Sequence, residues 1–218
     1  MYTPRRLFGE LGPASDILSH EPFLERARLL REQEHDGMAR LALGAYVVAR
    51  LVDKMLTDES DPEAAEGFRW QLQAVRRHVA ELPQDAPETA HLTGIVAAVP
   101  SDGPATAFLW KSLTAYAYFL EHEARLEESL EILTLAAWSQ GPDAPARDFA
   151  AYALFAGRLN RLLARWDVAS ACYGAAEDAG LGAGDLVAVL RGRLGRGAVH
   201  RGQGNLPAAR EVAENVAA

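Results

Sequence analysis

The chain predicts an all-α protein whose second half is built from stacked copies of one helical hairpin. Three observations carry that expectation. A short pattern returns at a spacing of 40 residues: Ala124-Arg125-Leu126, Ala164-Arg165-Trp166 and Gly204-Asn205-Leu206. Each block has a small residue at a fixed distance after it (Ser129, Ala169, Ala209) and another before it (Ala117, Gly157, Gly197). Apolar residues recur with the helical period along most of the chain, and no segment alternates with period two between turn signals, so no sheet is expected. A register that returns twice without slipping marks a helical array, which presents a surface rather than a reaction centre.

The elements follow in order. Residues 22–56 fit a 3.6-residue period from Phe23 to Met55, with Gly37 as the place for a break. A second helix opens at Asp61-Pro62-Glu63, with Ser60 or Asp61 as cap and proline in the first turn, and ends near Leu82-Pro83. Its buried ladder is Phe68, Leu72, Val75, Val79 and Leu82. A shorter helix runs from Glu88 to Val99, closed by Pro100. From Pro104 onward first helices are expected at 104–122, 145–162 and 184–202, and second helices at 126–138, 166–179 and 206–217. Gly141-Pro142-Asp143 and the run Gly180-Leu181-Gly182-Ala183-Gly184 mark the loops between repeats. The domains are thus a divergent helical region, 1–100, packed on the end of a three-hairpin array, 104–218. Ala42 or Gly44 is the candidate small contact in the first of these.

The small residues have a packing reason. Two antiparallel helices joined by a short turn approach closely at one point, and bulk there would push their axes beyond the usual separation of about 8–10 Å. The large residue at each turn (Leu126, Trp166, Leu206) is expected to close the open end of its own hairpin. Gly192 and Gly195 fall outside this register and should weaken their helix.

Composition narrows the function classes. The 218 residues are enough for a real core, and the apolar share of 49% is that of a soluble globular protein. A net charge of −8 argues against a general nucleic-acid binder. Lys54 and Lys111 are the only lysines among 22 basic residues, which we read, with the many alanines, as the codon bias of a GC-rich bacterial genome. The single cysteine, Cys172, cannot form an intrachain disulfide and suits a small buried hydrophobe. No apolar core follows the arginines of the N-terminus and no window is apolar enough to span a bilayer, so a cytoplasmic protein without membrane attachment is expected.

Over residues 104–218 the pattern resembles the tetratricopeptide repeat (TPR) family, most closely from Gly157 to Tyr173 and from Gly197 to Ala209. Departures exist. The family's repeat is about 34 residues long. Its early aromatic is replaced here by Leu113, Ala153 or Arg193, and its tyrosine after the glycine by Leu120, Asn160 or His200. The resemblance implies a short TPR-like right-handed superhelix whose first helices line a concave groove. Tyr118 and Arg158 then share one row of that groove with Ala198, and Glu121, Arg161 and Arg201 another. The implied function is non-catalytic: a scaffold or regulatory module that binds a protein or peptide, with an acidic one suiting its guanidinium contacts. The alternative for these arginines is pairing with the chain's own carboxylates. Val212 and Val216 on a final helix without a polar cap add an expectation of self-association through that end, or of truncation from a longer parent.

The rival reading is a metal-dependent enzyme. Glu32-Gln33-Glu34-His35 and Glu88-Thr89-Ala90-His91 each set a carboxylate and an imidazole three apart, as in helical di-iron bundles. Against it, the first triplet sits in a polar run and the second at a helix start. Glu121-His122-Glu123 suits a solvated helix end. The glycines around Arg193 lack the Gly-Lys-Ser/Thr of a phosphate loop. We therefore expect no catalytic residue, no metal and no cofactor.

Overall fold

The computed structural model describes residues 18–57, 62–101, 107–140 and 144–217. The expected caps at Ser60 and Asp61, the start at Pro104, the Gly141-Pro142-Asp143 loop and the N-terminal stretch lie outside them. The described residues form ten helices and no strand: α1 (Glu21–Glu32), α2 (Asp36–Thr57), α3 (Pro62–Ala80), α4 (Pro87–Ala98), α5 (Ala107–His122), α6 (Leu126–Ser139), α7 (Ala146–Leu162), α8 (Trp166–Ala183), α9 (Leu186–Gly202) and α10 (Leu206–Ala217). The protein is all-α, and within residues 17–140 and within residues 141–218 helices adjacent in sequence pack on one another. No helix among the described residues is long and apolar enough to cross a membrane.

One local device joins the hairpins. Glu34, Ala124, Ala164, Gly184 and Gly204 all adopt a left-handed conformation, φ 57–78°. In each turn the next amide reaches back to the sixth-last carbonyl: His35 to Leu30, Arg125 to Leu120, Arg165 to Asn160, Asp185 to Gly180, and Asn205 to His200, all at 2.8–2.9 Å. This is the Schellman closure of a helix C-terminus, which satisfies otherwise orphaned carbonyls. A new helix begins immediately after, at Asp36, Leu126, Trp166, Leu186 or Leu206. The break expected at Gly37 therefore falls at Glu34, and Gly37 lies inside the first turn of α2. Because α8 runs to Ala183, only Gly184 of the expected five-residue loop is a turn.

Residues 17–140 and 141–218 are separate compact units, dividing between 140 and 141, whereas the sequence placed its change of character near residue 100. In the first, α6 is buried from Glu128 to Ala137 and packs against α5, α2 and α1. Leu72, Val75, Val79 and Leu82 are buried as their ladder requires, while Phe68 is half-buried. Gly44 is the small contact, since a Cβ there would stand 2.8 Å from Leu82 Cδ1. Ser129 meets Ala117 through a hydrogen bond, its hydroxyl donating to the Ala117 carbonyl at 2.7 Å.

The second unit packs α7 on α8, α8 on α9 and α9 on α10, with α9 also against α7. Its core is alanine-rich, with Ala150, Ala153, Ala156, Ala169, Ala176 and Ala179 all fully buried. Tyr173 is the bulky wedge. A Cβ on Gly157 would lie 2.9 Å from its ring and one on Gly195 would lie 2.3 Å away, so the ring sits between α7 and α9. Gly192 approaches the Tyr173 carbonyl in the same way. These two glycines are thus the notches that let α9 close on α8, and the helix they were expected to weaken continues through them. Of the turn residues, Trp166 packs against the cluster of Ala169, Tyr173 and Val199 and also meets Gly202 of the following hairpin, Leu126 is half-buried, and Leu206 departs from expectation in being exposed.

Candidate binding site

The five residues singled out by sequence fall in two places. Tyr118 and Glu121 belong to α5, in the unit 17–140. Tyr118 is exposed and its carbonyl accepts a hydrogen bond from His122 Nδ1 at 3.0 Å. Arg158 and Arg161 lie on α7 and Arg201 on α9, two helices that pack against each other in the unit 141–218. The structure therefore brings the three arginines onto neighbouring first helices, at equivalent positions in the case of Arg161 and Arg201.

Their electrostatic surroundings are unequal. The Arg158 guanidinium sits 4.9 Å above the centre of the Phe155 ring, a cation–π contact that holds the side chain against its own helix. Arg193 and Arg196 are engaged by one carboxylate: Arg193 Nε donates to Glu177 Oε1 at 2.7 Å and Arg196 Nη2 to Glu177 Oε2 at 2.8 Å. Those two lock α9 to α8. Arg161 and Arg201 form no ion pair among the described residues.

The Glu-x-x-His triplets are not assembled. Glu32 and His35 are exposed at the tip of the α1–α2 hairpin. Glu88 is buried and already held, accepting from the Tyr116 hydroxyl at 2.5 Å and from Arg125 Nη1 at 2.7 Å. Arg125 also pairs with Glu128. Burial opposes the charge on Arg125, but these carboxylates outweigh it and raise its pKa further. His91 stacks on Tyr116 and Phe119, and burial lowers its pKa. No group of three or more His, Cys, Asp and Glu side chains suited to a metal stands together among the described residues. Cys172 is fully buried, with its thiol pushed up to about 12, which makes it a poor nucleophile.

Two features escaped the sequence. A cavity of about 630 Å³ opens between α2 and α3, bordered by Tyr46, Arg50, Lys54 and Trp70, with Trp70 67% exposed. His20, fully buried, joins α1 to two other helices. Its Nδ1 lies 3.1 Å from Glu131 and its Nε2 3.4 Å from Asp53. Burial lowers the pKa of His20, but its hydrogen bonds to the Asp53 and Glu131 carboxylates prevail and hold it above the ordinary value. Nothing local marks His20, because both partners are distant in sequence.

What these features define is a class: an all-α protein of tightly turned helical hairpins, with Arg161 and Arg201 at equivalent positions on packed helices and in no ion pair among the described residues. No family model, curated protein or solved structure matches the chain.

Proposed function

We propose that this protein is a non-catalytic scaffold or regulatory module, and that its TPR-like hairpins bind an acidic protein segment or peptide along α7 and α9. The observation that carries this reading is the contrast among arginines. Arg193 and Arg196 are spent on Glu177, while Arg161 and Arg201, one repeat apart on packed helices, meet no carboxylate among the described residues. A guanidinium fork suits a carboxylate in either a side chain or a chain terminus. The net charge of −8 makes nucleic acid a poor partner, and a cytoplasmic setting fits the composition.

Fluorescence anisotropy with a labelled oligoglutamate peptide tests the reading. Binding should weaken with salt, and Arg158→Glu with Arg161→Glu should reduce affinity about tenfold, the loss of a charge-assisted contact or two. Arg210→Gln, which breaks only an exposed pair with Glu214, should leave it unchanged. Binding insensitive to the α7 arginines would sink the proposal.

A further inference from the structure

Within the second unit, α9 packs along α7 as the first helix of one hairpin along the first helix of the hairpin before. There Leu154 of α7 packs against the cluster of Ala169, Tyr173 and Val199, and Ala150 is fully buried. One repeat further on, the equivalent residues of α9 are Leu194 and Leu190, and they are 51% and 41% exposed. Leu186 and Val187 extend the patch toward the start of the helix, at 71% and 57%. Residues 186, 190 and 194 stand four apart, so they form one row along α9. The final helix meets α9 elsewhere, at Gly197, where a Cβ would touch Val212 at 3.1 Å. Four large apolar side chains set together mark a docking surface, unlike the scattered leucines any surface carries.

Charge selects the occupant. Arg191 flanks the row and Arg201 continues it two turns past Leu194; both are exposed, and neither forms an ion pair among the described residues. No acidic residue occurs between Asp185 and Glu211. Asp185 itself is engaged, accepting from the Ala188 amide at 3.1 Å and lying 3.5 Å from Arg147. Two copies paired through this row would set arginine against arginine. An acidic amphipathic helix would instead lay its apolar side chains on the row and its carboxylates on the guanidinium groups.

We infer that the α9 row of Leu186, Leu190 and Leu194 docks an acidic amphipathic helix of a partner protein, lying along α9 as α9 lies along α7. This surface is distinct from Arg158 and Arg161 and does not depend on them.

Anisotropy with two labelled synthetic helices tests it on the full chain. One probe carries leucines at heptad a and d positions with glutamates elsewhere; the other keeps the leucines and replaces the glutamates by lysines. The glutamate probe should bind about tenfold more tightly, the difference two exposed ion pairs supply. Leu190→Asp with Leu194→Asp should abolish its binding, and Arg191→Glu should narrow the preference between probes. Arg158→Glu with Arg161→Glu should leave this binding intact, which separates a failure of the groove from a failure of the row. Equal binding of both probes, binding of neither, or binding that survives the two aspartates overturns the inference. A concentration-dependent dimer in light scattering that the same aspartates dissolve also overturns it, since the row then belongs to a second copy.

Discussion

Arg125 and Arg165 occupy the same step of the same turn, one repeat apart, with an alanine in left-handed conformation before each and a large apolar residue after. Arg125 is buried between Glu88 and Glu128; Arg165 is exposed. The difference lies in what surrounds the turn. Position 128 is a glutamate, while its repeat equivalent at 168 is a valine, and Glu88 arrives from α4. The unit 17–140 thus secures its helices with buried charge: Glu88, Arg125 and Glu128 at one site, His20, Asp53 and Glu131 at another. The unit 141–218 secures its helices with a ring driven between glycines. A common backbone device can therefore carry two kinds of core. The electrostatic kind is vulnerable to losing one partner and the steric kind to gaining one atom.

Three measurements would break or sharpen that contrast. Arg125→Ala leaves two carboxylates buried without their cation, and such a loss costs about 3–5 kcal/mol; Arg165→Ala, at an exposed side chain, should cost no more than the roughly 1 kcal/mol of a surface contact. Urea unfolding of both variants decides it, and equal costs would erase the distinction. Gly195→Ala comes next. Its Cβ would enter the Tyr173 ring space, with an expected loss of about 1–3 kcal/mol. Gly174→Ala is the control: it sits within α8 with open space around its missing Cβ and should stabilise the helix by about 0.5–1 kcal/mol. A neutral Gly195→Ala would mean that Tyr173 is not the wedge.

The smallest effect is a pH dependence confined to the first unit. The folded pKa of His20 stands above the ordinary 6.5, so the unfolded chain loses the proton first as pH rises. Stability from His20 is therefore complete below about 6.5 and declines as pH climbs through the folded value. Hydrogen exchange of α1 and α2 amides should quicken over that range in the wild type and change less in His20→Gln. Exchange in α8 and α9 serves as the internal reference.

The sequence foretold the helices well, because their information is local. The 40-residue rhyme located three turns to within a residue or two, since a Schellman closure involves only six consecutive residues. The turns at Glu34 and Gly184 do not rhyme with these, yet a break was expected at Gly37 and a loop at Gly180–Gly184, and the five helix starts at Leu126, Ala146, Trp166, Leu186 and Leu206, 20 residues apart, fall within two residues of those expected. Of the site, the arginine positions were legible, but not which of them Glu177 would take.

The sequence by itself determined an all-α chain, its hairpin turns and the small residues that recur beside them, because periodicity and turn closure act over a few residues. Only the tertiary structure decided that Gly192 and Gly195 exist for Tyr173, that Trp166 serves the next hairpin as well as its own and that Arg125 is buried while Arg165 is not. Each of those outcomes depends on a neighbour brought near by packing, and a side chain's burial and charge balance belong to the neighbours it meets rather than to the residues beside it in the chain.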